Sequence, residues 1–374
     1  MLWRLPPGRH PQPRAKRLSP RVAHALVGLC ALVFSATAAG QDTTGAIHGS
    51  VVGTEHAQPL GFATVTLDST AASVFADSMG HFRIARVVPG RHRLRARELG
   101  YAPLDTAVDI TPGQTVEFTL ALTRVPYVLP PVAVAGKTQC RNPGISDSTL
   151  SHDVATLATE LVVNAQRILL LEKRYPYVYR MESTISVHRE NQPWRDDERV
   201  DTFEFRSDER HTYRPGDMID AHLVGRLLNR NEDPHQEYIY LPDLEDVAEP
   251  KFISNHCFAF GGVDTVAGQP ELRIDFQPVN RMHSADAEGS FFLDPDRFVA
   301  KRAIIRMTRG DHEVPPIWKL ESHVWYREIA PLIAIEDSAT YEQVAGAALW
   351  GGELTQLERQ RVIEYHPRGS LKGP

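Results

Sequence analysis

The chain has 374 residues, of which 42% are hydrophobic and 24% charged, enough apolar material and length for more than one ordinary core. Its 41 basic residues are outnumbered by 47 acidic ones, for a formal charge of −6. That balance lacks the basic surplus that phosphate backbones require, so nucleic acid is excluded as a partner.

Residues 1–40 carry Arg4, Arg9, Arg14, Lys16, Arg17 and Arg21 and no acid, then an apolar stretch from Ala25 to Ala38. A basic front, a short apolar core and a small-residue exit read as a secretory signal peptide, with cleavage expected between Ala38 and Asp42. The stretch is short for a bilayer span. Its removal takes six basic charges, leaving 35 basic against 47 acidic residues and a formal charge of −12. Cys30 leaves with it, and the bulky Leu29 before it argues against lipid attachment.

From Gly45 short alternating segments follow at Ile47 to Val52, Ala63 to Leu67, Phe82 to Ile84, Arg91 to Arg97 and Val116 to Leu122. Pro59-Leu60-Gly61, Met79-Gly80, Pro89-Gly90 and Pro112-Gly113 punctuate them. Short strands separated by Gly/Pro turns predict a small antiparallel β-sandwich over residues 41–124, with Phe82, Ile84 and Leu94 in its core. The Pro-rich linker at 125–144 offers little apolar surface, so the sandwich is expected to fold independently of the remaining chain, 145–374.

The stretches "GAIHGSVVG", "QPLGFATVTL", "DSMGHFRI", "VVPGRHRLRARELGY" and "VEFTLAL" resemble, in order, the carboxypeptidase regulatory-like domain, a transthyretin-like sandwich. That resemblance implies a companion module of zinc carboxypeptidases, an extension of TonB-dependent receptors, or a carbohydrate-binding-like role. A carboxypeptidase needs a His followed closely by Glu, and a second His, to hold zinc with one position open for water. None of the sixteen histidines has Glu three residues later; His283 comes nearest, with Asp286. A receptor barrel needs many membrane strands of about ten residues each, more chain than follows residue 124.

In the second module Val154, Leu157, Leu161, Ala165 and Ile168 recur at intervals of three and four, predicting a helix from about Ser148 to Arg174, stopped by Pro176. Alternation then marks strands at Tyr177 to Val187, Phe203 and Phe205, Leu272 to Phe276, Ala300 to Met307, Trp318 to Tyr326, Leu332 to Ile335 and Arg361 to Tyr365. Between them, Pro242 and Pro250 suggest two short helices, and Asp243, Glu245, Asp246 and Glu249 read as their solvated side. The fold class expected is mainly β: the N-terminal antiparallel sandwich, then a curved antiparallel sheet, a half-barrel, packed on one long helix. "GSFFLDPDRFVAKRAIIRM" with its Asp294-Pro295 turn resembles the hairpin of periplasmic lipoprotein carriers.

Cys140 and Cys257 are the cysteines left after the signal segment, and in an oxidising compartment the pair is expected to form a disulfide. The alternative is two separate buried thiols. No GxSxG elbow, phosphate-cradling loop or dinucleotide fingerprint is present, so no catalytic, cofactor-binding or metal residues are expected. The sequence points to a non-catalytic exported protein, periplasmic or outer-membrane associated, with an envelope glycan or protein as partner. The alternative is a carrier whose concave sheet takes a lipid or lipoprotein, or meets the outer-membrane surface; a peptidase accessory protein is a third reading.

Overall fold

A computed structural model describes residues 44–67, 72–125, 140–145, 152–190, 192–207, 212–216, 241–279, 284–308, 317–345 and 353–368. The expected signal peptide with Cys30, most of the Pro-rich linker, the expected helix start at Ser148 and His283 lie outside them, as do the side chains of Phe203 and Trp318.

The first module has seven strands: β1 (Gly45–Gly53), β2 (Thr64–Leu67), β3 (Ala72–Phe75), β4 (His81–Val87), β5 (Gly90–Arg97), β6 (Leu104–Ile110) and β7 (Thr115–Leu122). They form two facing sheets, ordered β4-β1-β7 and β3-β2-β5-β6. All pairs are antiparallel except β1 with β7, which run parallel. Alternate residues point into one core, where Ile47, Val51, Leu67 and Leu94 are fully enclosed and Phe82 and Ile84 nearly so. Gly80 turns the chain at a φ of 81°, and a β-carbon there would lie 2.5 Å from the Val51 carbonyl oxygen, so the Met79-Gly80 turn has a steric cause.

The second module begins with helix α1 (His152–Arg174), with Asp153 in its first turn and Lys173 and Arg174 in its last, matching the helix dipole at both ends. Strands β8 (Tyr177–Arg189) and β9 (Arg195–Arg206) follow. A 3₁₀ turn (Leu244–Ala248) and the short helix α2 (Pro250–Asn255) lead into β10 (His256–Val266), β11 (Gln269–Pro278), β12 (Ala287–Leu293), β13 (Ala300–Met307), β14 (Ile317–Ala330), β15 (Ile333–Ala345) and β16 (Leu354–Pro367). One nine-stranded antiparallel sheet results, ordered β10-β11-β12-β13-β14-β15-β16-β8-β9. Each neighbour is consecutive in the chain except β16 with β8. The sheet curves around α1, whose Leu157 and Leu161 are fully buried and Ile168 nearly so, in one core with Phe258, Ile274, Phe291, Ile305 and Val324.

Beside that apolar stripe, Glu160, Asn164 and Arg167 form a second stripe at helical spacing, and all three are buried. Asn164 donates to the Phe298 carbonyl at 2.7 Å and accepts from the Ala300 N–H at 3.0 Å. Arg167 Nε donates to the Leu332 carbonyl at 2.9 Å. Phe298 and Leu332 both hold left-handed backbone, at φ of 56° and 59°, a conformation that bulky residues resist. The helix thus clamps the β12–β13 and β14–β15 turns through the carbonyls of the two residues that most need holding.

The modules also share a seam, although the sandwich keeps an apolar core of its own. Arg167 Nη1 reaches Glu98 Oε1 at 3.1 Å, with the two side chains only 1% and 2% exposed, and the guanidinium lies 5.6 Å from the centre of the Phe75 ring. Gly100 N–H donates to Glu160 at 3.2 Å, and Arg97 to Gln166 at 3.1 Å. Leu99 enters the helix core, while Phe75 packs with Leu170, Leu171, Tyr177 and Ile333. The contact comes from the β5–β6 loop and β3, where composition gave no warning.

Replacing Arg167 with Ala leaves the Glu98 carboxylate buried without its counter-charge and should lower stability by roughly 3–5 kcal/mol in urea denaturation. Burial first, with a smaller contribution from Glu98, raises the Glu160 carboxyl from 4.5 to about 7, against the Gly100 N–H and the Arg97 charge. A folded-state value above the ordinary one stabilises fully below pH 4.5 and is lost as pH rises through about 7. The melting temperature should fall between pH 5 and 8, and Glu160→Gln should flatten that slope.

Candidate functional site

A sheet curved around a helix offers two places for function, the concave interior and the outer surfaces. Inside, α1 packs in one apolar core against β10 to β14 and against Ala334 and Ala339 of β15. Towards β15, β16 and β8 the interior turns polar. Tyr326 Oη donates to Asp243 Oδ1 at 2.6 Å, and the Glu336 carboxyl lies close enough to Asp243 to feel its charge. Burial and then the Asp243 charge hold Glu336 well above the carboxylate range, and the same two causes, in that order, raise Glu245. Tyr179 and Tyr341 are raised by burial and next by Glu336. Ser183 and Gln360 donate to Glu358 at 2.6 and 2.7 Å on the same wall. Glu336 Oε1 is enclosed and has no partner.

These acids correct the reading of Asp243, Glu245 and Asp246 as a solvated helix side. Asp243 caps the 3₁₀ turn, accepting from Leu244 N–H at 2.6 Å. Asp246 is 1% exposed and accepts from the N–H groups of Tyr213 and Asp243 at 3.0 and 2.9 Å. The turn lies against α1 inside the sheet, so its acids face inward. Tyr326 and Glu336 gave no local signal, since their partner lies more than eighty residues away and each occupies an ordinary strand position.

Cys140 and Cys257 are disulfide-bonded, with α-carbons 5.6 Å apart, tying the segment before α1 to the start of β10. The neighbouring His256 points the other way, as alternation on a strand requires, and is completely enclosed. Its Nδ1 lies 2.9 Å from the Phe252 carbonyl oxygen, and its Nε2 3.1 Å from that of Ala287, so it holds the α2–β10 junction. Asp286 accepts from Tyr213 Oη at 2.7 Å and from Asn255 at 2.9 Å in the same enclosed network. Among the described residues no group of three His, Cys, Asp or Glu side chains could hold a metal ion.

Residues 46–123 match the model of the carboxypeptidase regulatory-like domain family. That match spans the regulatory-like sandwich from β1 to β7 and none of the second module. No curated protein matches the chain. Among solved structures, a LolA superfamily protein from Nitrosomonas europaea is similar at 10% identity over 57% of this chain and 94% of its own, with a TM-score of 0.26. A DUF1329 family protein from Desulfovibrio piger is similar at 11% identity over 56% and 93%, with a TM-score of 0.28. The minor pilin GBS52 of Streptococcus agalactiae is similar at 24% identity over 24% of this chain, which spans 49% of the pilin's length, with a TM-score of 0.21. Likenesses of this degree carry no argument about function.

The disulfide closes a separation of 117 residues, and in the chain-entropy model it restricts the unfolded state by about 4–5 kcal/mol at most. Cys140→Ser should therefore lower the urea midpoint measured without reductant, and adding reductant to the native protein should reproduce that loss.

Proposed function

We propose that this protein is an exported, non-catalytic component of the cell envelope that presents its regulatory-like sandwich for binding or docking of a glycan or protein partner. The observation that carries this reading is the filled concavity. Leu157, Leu161 and Ile168 occupy the space that an acyl chain would need, and the wall beyond them presents Asp243, Glu336, Glu358 and tyrosine hydroxyls. Carboxyls and hydroxyls there would lose their partners to a lipid tail. Export is supported by the basic and apolar front of the sequence and by the Cys140–Cys257 disulfide, which suits an oxidising compartment.

Titration of the mature protein with a dansylated fatty acid distinguishes docking from carriage. Docking predicts no saturable fluorescence change. Stoichiometric uptake of the probe, abolished by enlarging Leu161 to Trp, would overturn the proposal in favour of a carrier.

A further inference from the structure

The outer face of the β3-β2-β5-β6 sheet carries a row of cations. Successive alternate residues of β5, Arg91, Arg93, Arg95 and Arg97, point outward while His92, Leu94 and Ala96 point into the core. Arg97 sits at the seam against Gln166. From there the row runs into solvent, with the Arg95 and Arg93 side chains 44% and 60% exposed and Arg91 exposed beyond them. Across the ladder, Asp109 faces Arg91 and Asp105 faces Arg95. Arg93 already grips a carboxylate with its fork, Nε at 3.1 Å and Nη2 at 2.9 Å from the two Asp105 oxygens. Four arginines thus meet two acids on this sheet face, in a chain that is acidic overall.

Arginines two apart on a strand lie roughly 7 Å from each other and repel. Burial first and the Arg95 charge second hold the Arg97 guanidinium below its ordinary value. Around the row stand hydroxyls, Thr64, Thr66 and Ser73, and a shallow depression of about 410 Å³ opens between Arg91, Arg93, Asp105 and Thr106. Beyond the seam, Ala107 is the apolar side chain on this face among the described residues. The face therefore lacks the large apolar anchors that protein interfaces centre on and that membrane insertion needs. The acidity of the whole chain opposes nucleic acid. A carboxylated polysaccharide needs no apolar anchor and, with at most one charge per sugar against the denser charge of a duplex, is repelled less by the acidic chain, while its planar carboxylates suit the guanidinium fork.

We infer that the β5 arginine row is the docking face for an acidic, uronate-bearing polysaccharide of the envelope, aligned along the strand from the seam outward. This rests on the docking reading above and names its partner.

Immobilised polygalacturonate tests it, with fully methyl-esterified pectin as the uncharged control and both duplex DNA and anionic phospholipid vesicles as phosphate controls. The mature protein should bind polygalacturonate, lose affinity with added salt and ignore the ester. The triple variant Arg91→Ser, Arg93→Ser, Arg95→Ser should bind at least tenfold more weakly with an unchanged melting temperature. Asp105→Asn, which frees Arg93 and Arg95 from their internal acid, should bind several-fold more tightly, a gain that misfolding cannot imitate. No binding to polygalacturonate, equal binding by the triple variant, or equal binding to DNA or vesicles would overturn the assignment. Such a failure without uptake of the dansylated fatty acid removes this partner and leaves the docking reading in place, whereas saturable uptake removes the reading itself.

Discussion

A guanidinium cannot be sealed inside a protein unless charges and oxygens surround it, and Arg167, 1% exposed at the middle of the module junction, imposes that demand on three separate parts of the chain. It takes a carboxylate from the β5–β6 loop, a carbonyl from the β14–β15 turn and the face of an aromatic ring from β3. One side chain thus ties the helix to that turn of the sheet and to the sandwich at a single point. Asn164 and Glu160, about one and two helical turns from Arg167 along the same face, extend the clamp to the β12–β13 turn and to Gly100. The network is left with Glu98 Oε2 and Arg167 Nη2 unpaired and enclosed, so it holds its geometry at some electrostatic cost.

Fixing the helix decides what the interior can do. Because Asn164 and Arg167 bind turns of the sheet, the apolar side of α1 is held against the concavity. The polar wall that remains, around Asp243, Glu336 and Tyr326, is held in part by the hydrogen bond from Tyr326 to Asp243. The docking proposed above uses surfaces that the clamp leaves uncovered. The sheet face of the sandwich is one of these, joined to α1 at Arg97 and free at Arg91.

Much of the sandwich was legible because its signals are local. Gly80 and Gly90 mark turns, and the alternation of Phe82 with Ile84 and of His92 with Leu94 places alternate residues in the core. β3 was missed because four residues without a flanking turn signal carry little pattern, and β6 because Thr106 on its inner side and Ala107 on its outer side interrupt the alternation at its middle. The disulfide could be reached by counting cysteines within an expected compartment. The inward acids could not, since whether a carboxylate faces water depends on where its turn is carried by distant strands. Arg167 was hidden by a different habit: a polar stripe beside an apolar one usually means the wet side of a helix. The spacing of Glu160, Asn164 and Arg167 was present in the sequence, and here it marks a second buried face.

The central claim is that this clamp joins the two modules into one cooperative unit. Trp194, Trp318, Trp325 and Trp350 all lie in the second module, so tryptophan fluorescence in a urea titration reports on the curved sheet alone, while pulsed hydrogen exchange of peptides covering β1 and β5 reports on the sandwich. The account predicts a single shared midpoint for both probes, splitting into two in Arg167→Ala. Separate midpoints in the unaltered protein would contradict it.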